Sequence, residues 1–218
     1  MMSKKLTVSV LLGIVVVAFA FGMYNYQRRV QTSQMEKVTS QDSRLVRMHS
    51  PVFGPQNAPV TIVEFFDPAC ETCRAFYPIV KSVMNQYPND VRLVLRYAPL
   101  HAGSDQVVAL LEAAKRQGKY VQVLEAVLAE QPAWASHSQP NIELAFKAAE
   151  AAGLNLEQAR ADAAKPEVAA VLQQDTEDLT ALEVTKTPTF FVNGRGLPSF
   201  GPEQLAALVA EEVAKVKK

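Results

Sequence analysis

The chain has 218 residues, 49% of them hydrophobic, and its 22 Lys+Arg balance 22 Asp+Glu. That size and apolar content fit one globular domain with room for a tail and an insertion, and the charge balance gives no sign of a nucleic-acid or acidic partner. Two cysteines cannot frame a disulfide scaffold, and without histidines they fall short of a structural zinc site.

Lys4 and Lys5 precede an apolar stretch from Leu6 to Met23, which Gln27, Arg28 and Arg29 follow. Positive charge ahead of such a run is the export pattern. Residues 1–23 are therefore expected to be a signal-anchor or a signal peptide. Ala18-Phe19-Ala20 offers a cleavage site, but a cut after Ala20 falls inside the apolar stretch. The run, about 18 residues, reaches the lower limit for a spanning helix, so the anchor is favoured. In either case the rest is expected outside the cytoplasmic membrane, where disulfides persist. Residues 24–50, polar and mixed in charge, read as a tether.

Pro51 to Pro55 and Asn57-Ala58-Pro59 read as turn punctuation. Val60 to Phe66, almost continuously apolar and β-branched, predicts a buried strand that Asp67-Pro68 ends. A helix is expected from about Cys70 to Tyr87, with Phe76, Ile79, Val80, Val83, Met84 and Tyr87 at helical spacing and a kink at Pro78. Val91 to Tyr97 alternates as a second strand. From Ser104 to about Leu182 the pattern is helical, with Asn141 as an N-cap, Gly153 as a helix end and Asn155 with Gln158 as a capping box. Thr189 to Val192 returns to strand, Asn193-Gly194 suits a hairpin turn, and Leu197 to Phe200 is its expected partner. Gly201-Pro202 opens a last helix with Leu205, Leu208 and Val209 on one face. Strands split around a helical block indicate an α/β sheet with a helical insertion.

The chemistry-bearing motif is Cys70-Glu71-Thr72-Cys73, at the junction of the first strand and its helix. A sulfur there meets unpaired backbone N–H groups and the positive helix end, which favour a thiolate. Spacing alone leaves open redox exchange, a small structural disulfide, buried inert thiols or part of a metal site.

Four separated features narrow this. Asn57 through Cys73, Ala98-Pro99-Leu100-His101, the helical block before Pro188, and Thr187-Pro188-Thr189-Phe190-Phe191-Val192-Asn193-Gly194 together resemble the DsbA-like thiol–disulfide oxidoreductases of the thioredoxin superfamily, over roughly residues 50 to 215. The resemblance implies an α/β thioredoxin-like fold with an inserted helical domain, preceded by the N-terminal transmembrane or signal segment. It divides the chain into a thioredoxin-like first part at 51–103, the insertion at 104–182 and a second part at 183–218.

The resemblance also implies roles. Cys70 becomes the exposed nucleophile and Cys73 the more buried resolving thiol. Glu64, where such proteins carry a buried acid, becomes a proton carrier for Cys73; the plainer alternative is a carboxylate paired with Arg92 or Arg96. Pro188 is expected to be cis, exposing the backbone of Thr187 to a substrate segment, while Thr187 itself could donate a hydrogen bond to the sulfurs. Glu71, Thr72 and Arg74 are expected to tune the redox poise. Glu71 replaces the histidine of strongly oxidising relatives and competes with the thiolate for the helix end, whereas Arg74 attracts it.

The implied activity is exchange of disulfides with protein thiols, with direction open between oxidase and reductase or isomerase and no dissociable cofactor. The implied partners are substrate proteins bearing thiols or disulfides and a redox-recycling partner in the membrane. The implied location is the bacterial envelope, anchored in the inner membrane with the catalytic part in the periplasm, or soluble there if cut after Ala20. An alternative is a membrane-anchored copper chaperone using Cys70, Cys73 and His101. His49 and His137 fall in polar segments with no evident chemistry, and Trp134 reads as core of the insertion.

Overall fold

The structure, a computed structural model, describes residues 15–26 and 42–217. Residues 15–26 are helical (α1) and largely exposed. No helix among the described residues is long and apolar enough to cross a membrane. The apolar run from Leu6 to Met23 lies partly outside the described residues.

The strand patterns fold into one five-stranded sheet in the order β1–β3–β2–β4–β5. Its centre is β2 (Val60–Phe66), parallel to β3 (Val91–Tyr97) and antiparallel to β4 (Thr189–Val192). Central strands bury both faces, which explains their nearly unbroken apolar runs. Val60, Ile62 and Phe66 face one core, while Val63 and Phe65 face the other.

Two edge strands differ from the sequence reading. Val52–Phe53 forms β1, antiparallel to β3, although the flanking prolines and glycine read as turn alone. Two residues at a sheet edge are too few to show alternation. The hairpin at Asn193-Gly194 has positive φ at both residues, 46° and 80°, the geometry its residue types favour. Its partner strand β5 is Arg195–Gly196, not Leu197 to Phe200. A two-residue turn returns the chain at once, which frees Phe200 to stack on Phe76 at 4.8 Å.

One face of the sheet carries α3 (Glu71–Gln86), through Cys73, Phe76, Val80 and Val83, and α10 (Pro202–Val216), through Leu205, Leu208, Val209 and Val213. α3 runs unbroken through Pro78. Between β3 and β4 the chain adds α4 (Ser104–Arg116), α5 (Tyr120–Ala129), α6 (Gln131–Trp134), α7 (Ile142–Ala151), α8 (Leu156–Ala163) and α9 (Pro166–Ala181). Asn155 caps α8 by accepting from the Gln158 N–H at 3.0 Å, whereas Asn141 stands at the start of α7 without a side-chain capping bond.

The end of the expected tether is not free chain. In and after α2 (Asp42–Leu45), Leu45 packs with Val63, Phe65 and Leu179, and Arg47 pairs with Asp178 at 2.6 and 2.7 Å. His49 meets Asp175 at 2.6 Å. The same two aspartates, from α9, neutralise the fully buried Arg96 of β3, which also donates to the carbonyl of Arg44. A buried cation needs such partners, and the polar residues 44–49 supply part of them.

Candidate active site

Strand alternation decides what lies beneath the cysteines. Glu64 shares its sheet face with Ile62 and Phe66, the face that α3 covers. Its cross-strand neighbour on β3 is Leu95, so Arg92 and Arg96 point to the opposite face. Pairing of Glu64 with either arginine, the plainer reading, is thereby overturned. Arg92 instead donates to the Thr61 hydroxyl and to the Gln56 carbonyl. Glu64 is 2% exposed and its Oε1 has no hydrogen-bond partner among the described residues. Burial without a partner pushes its carboxyl up to about 8, and the charge of Cys70 adds to the shift.

After Phe66 the chain turns through Asp67-Pro68-Ala69 and places Cys70 at the N-cap of α3. Both cysteines are free thiols, and Cys70 is not exposed as expected but buried at 5% exposure, because the turn before α3 and the Thr187–Pro188 loop close over it. Cys70 Sγ accepts the Cys73 N–H at 3.4 Å and lies 3.3 Å from the Thr187 carbonyl oxygen. A hydrogen bond from the Cys73 side chain, helped by the N–H groups of Cys73 and Thr72, brings the Cys70 thiol down to about 5 despite burial. Cys73, one turn in, is sealed from solvent. Burial, its bond to Cys70 and the negative charge of Glu64 push its thiol far above the ordinary range. The two sulfurs thus have opposite character, one ready to ionise and one held protonated.

The Thr187–Pro188 peptide bond is cis. Thr187 offers its main-chain carbonyl to Cys70, while its own buried hydroxyl makes no hydrogen bond of ordinary geometry. Beside Pro188 opens a cavity of about 420 Å³ lined by Val184, Pro188, Phe190, Leu197 and Phe200 among others. Its apolar and main-chain walls suit an extended peptide.

Glu71 and Thr72 are exposed between the cysteines, and Arg74 is half-buried with its Nε unpartnered among the described residues. Glu71 does not stand alone against the thiolate. It pairs with His137 of the insertion at 2.9 Å, and its carboxyl lies below the usual range, chiefly through its own backbone N–H and then His137. The His137 ring lies 5.9 Å from that of His101, whose Nδ1 meets Asp67 Oδ2 at 2.7 Å. Asp67, fully buried, also accepts from the N–H groups of Ala69, Leu100 and His101 and from the Ser104 hydroxyl. It fixes both the redox turn and the loop after β3.

Three residues of this arrangement escaped the sequence reading. Asp67 was visible only as a strand breaker, though an acid directly ahead of the motif is a usable signal. His137 and Gln131 reach the site from the insertion and carry no local mark. His101 is held by Asp67, and among the described residues no group of three His, Cys, Asp or Glu is arranged to hold a metal ion. The geometry therefore gives the copper-chaperone reading no support.

The family described as Thioredoxin matches residues 47–211. Among solved structures, a thioredoxin-like oxidoreductase from Silicibacter pomeroyi is 32% identical with a TM-score of 0.68, over 81% of this chain and 97% of that one. BdbD from Bacillus subtilis is 21% identical with a TM-score of 0.68, over 76% of this chain and 94% of its own. The α-DsbA1 of Wolbachia pipientis is 16% identical with a TM-score of 0.69, over 78% and 94%. Both share the fold. Among curated proteins, the Na(+)/H(+) antiporter NhaA 3 of Salinispora tropica is 35% identical over 162 residues, which is 73% of this chain and 24% of the antiporter. The chain thus spans about a quarter of the length of the curated relatives it matches.

Proposed function

Because the chain belongs to the thioredoxin family and shares the fold of DsbA-like proteins, we propose that it is a thiol–disulfide oxidoreductase that donates disulfides to protein thiols in the bacterial envelope. The observation that carries the direction is Cys70 Sγ at the N-cap of α3, accepting the Cys73 N–H. Stabilising a thiolate stabilises the dithiol form, and a stable dithiol form makes its disulfide a stronger oxidant.

The reaction follows from the two unlike sulfurs. A substrate thiolate attacks Cys70 Sγ of the Cys70–Cys73 disulfide, forming a mixed disulfide as the bond to Cys73 breaks. Cys73 leaves as a thiolate in a dry setting and takes a proton, which the protonated Glu64 beneath it supplies. A second substrate thiolate attacks the substrate sulfur of the mixed disulfide. The substrate leaves oxidised, Cys70 leaves as a thiolate, and two electrons stay on the pair. The substrate segment lies along Thr187 and Pro188, over the apolar cavity. A redox-recycling partner in the membrane then reoxidises the pair.

Residues 1–23 hold the protein at the inner membrane with its catalytic part in the periplasm. The basic start and the apolar run of the sequence support this. Equilibration with glutathione buffers tests the direction. A potential at or above about −180 mV supports disulfide donation, whereas one near about −270 mV makes the protein a reductase.

A further inference from the structure

The redox turn is gripped from two sides. On the sheet side Asp67 holds Ala69 N–H at 2.8 Å and the loop after β3. On the other side the side chain of Gln131, from α6 of the insertion, donates through Nε2 to the carbonyls of Pro68 at 2.8 Å and Cys70 at 3.0 Å. Gln131 is 1% exposed. Its place is fixed by α6, whose Trp134 is fully buried and donates Nε1 to the Val127 carbonyl of α5 at 2.8 Å.

We propose that Gln131 is a positioning residue through which the helical insertion sets the reactivity of Cys70. This rests on the thiol–disulfide reading above. The two carbonyls that bracket Ala69 fix which end of the amide faces the turn, because an oxygen there would meet two oxygens. The remaining Oε1 is buried with no partner among the described residues. An apolar side chain of equal volume would fill the space without that orphan acceptor, so packing alone does not account for a glutamine here. What the amide adds is a tie across the boundary between insertion and redox turn. The Cys70 carbonyl already accepts the first helical N–H, from Arg74 at 3.1 Å. The second bond, shared with Pro68, fixes the rotation of the peptide units that aim Cys70 Sγ at the Cys73 N–H. Any shift of the insertion is thereby passed to the nucleophile's backbone and not to its sulfur directly.

The test uses the full chain with Gln131→Met, which keeps volume, and Gln131→Glu, which keeps shape but loses the two-proton donor. The readouts are the Cys70 thiolate titration, the reduction potential and thermal unfolding. The acid dissociation constant of Cys70 is expected to fall by at least about threefold in both variants, with the potential lower by about 14 mV for that factor in a two-electron couple. Variants that unfold earlier yet keep the titration and potential of the unchanged protein would overturn the proposal, since a purely structural residue behaves that way. Should the variants not fold, the unchanged protein decides: the Gln131 side-chain amide signals in ¹⁵N NMR are expected to exchange slowly and to move between disulfide and dithiol forms. Signals indifferent to the redox state overturn it. If the unchanged protein exchanges no disulfides at all, both this inference and the proposed function fall; normal exchange with unmoved Gln131 variants removes only the inference.

Discussion

Glu71 and His137 meet at 2.9 Å, joining the residue between the cysteines to the helical insertion. The carboxylate next to Cys70 in the chain therefore has a nearby counter-group, contributed from 66 positions away. Both side chains are largely exposed, which keeps the pair weak.

His137→Ala is expected to leave the Glu71 charge less compensated and to lower the potential slightly. An exposed pair contributes about 0.5 kcal/mol, equivalent to about 10 mV for two electrons. Glu71→His, which removes the carboxylate altogether, is expected to shift the potential the other way, towards a stronger oxidant. Glutathione equilibration reads both, and a Glu71→His protein with an unchanged or lower potential ends the idea.

Alkylation of the reduced protein is expected to rise through a midpoint near pH 5, all of it at Cys70. Cys73→Ala removes the largest influence on that thiol and should move the midpoint up; Cys73→Ser, which keeps a donor, should move it less. Both should accumulate a mixed disulfide with a thiol substrate, and Cys70→Ser should form none. Mass spectrometry of quenched reactions checks this, and label on Cys73 in the unchanged protein counts against the assignment.

Glu64 makes a pH-dependent contribution of known sign. Its carboxyl is raised in the folded protein, so between its ordinary value of 4.5 and about 8 the unfolded chain releases a proton that the native state keeps. Stability therefore falls as pH rises across that window, by up to about 1.4 kcal/mol per pH unit. In the disulfide form the thiolate is gone, so the window closes somewhat below 8. Glu64→Gln does not titrate and should gain on the unchanged protein throughout the window. Parallel urea curves for the two oxidised proteins at pH 5 and pH 8 would contradict this.

On the far face, Asp175 accepts from Arg96, from His49 and from the Tyr97 N–H at 2.7 Å. Asp175→Leu takes one of its two carboxylates from the buried Arg96, leaving Asp178, and strips the Tyr97 N–H of its acceptor, and is expected to cost about 2–3 kcal/mol; Arg96→Met added to it should recover part of that. Asp175 lies below its ordinary range, its partners outweighing burial, so the network's stability is present above pH 3.8 and is lost as pH falls through the lower folded value. Thermal unfolding of the single and double variants measures the coupling, and a double variant no more stable than Asp175→Leu excludes it.

What the chain alone determined was the local part. Val60 to Phe66, Val91 to Tyr97 and Thr189 to Val192 carry strand patterns strong enough to read, because central strands are apolar on both faces and need no distant information. The position of Cys70 at a helix start follows from the same local punctuation. The strand β1 was hidden because two residues hold no period. The docking of residues 44–49 was hidden because their partners, Asp175 and Asp178, lie about 130 positions later.

The tertiary structure alone decided the environment of the sulfurs. Pairing register turned Arg92 and Arg96 away from Glu64 and left that carboxyl dry, and the insertion brought His137 to Glu71 and Gln131 to the turn. A thiol's reactivity depends on dielectric and on hydrogen bonds within a few ångströms, and those neighbours are set by the packing of remote segments. The motif Cys70-Glu71-Thr72-Cys73 names the chemistry; which sulfur ionises, and how readily, is written in what folds around it.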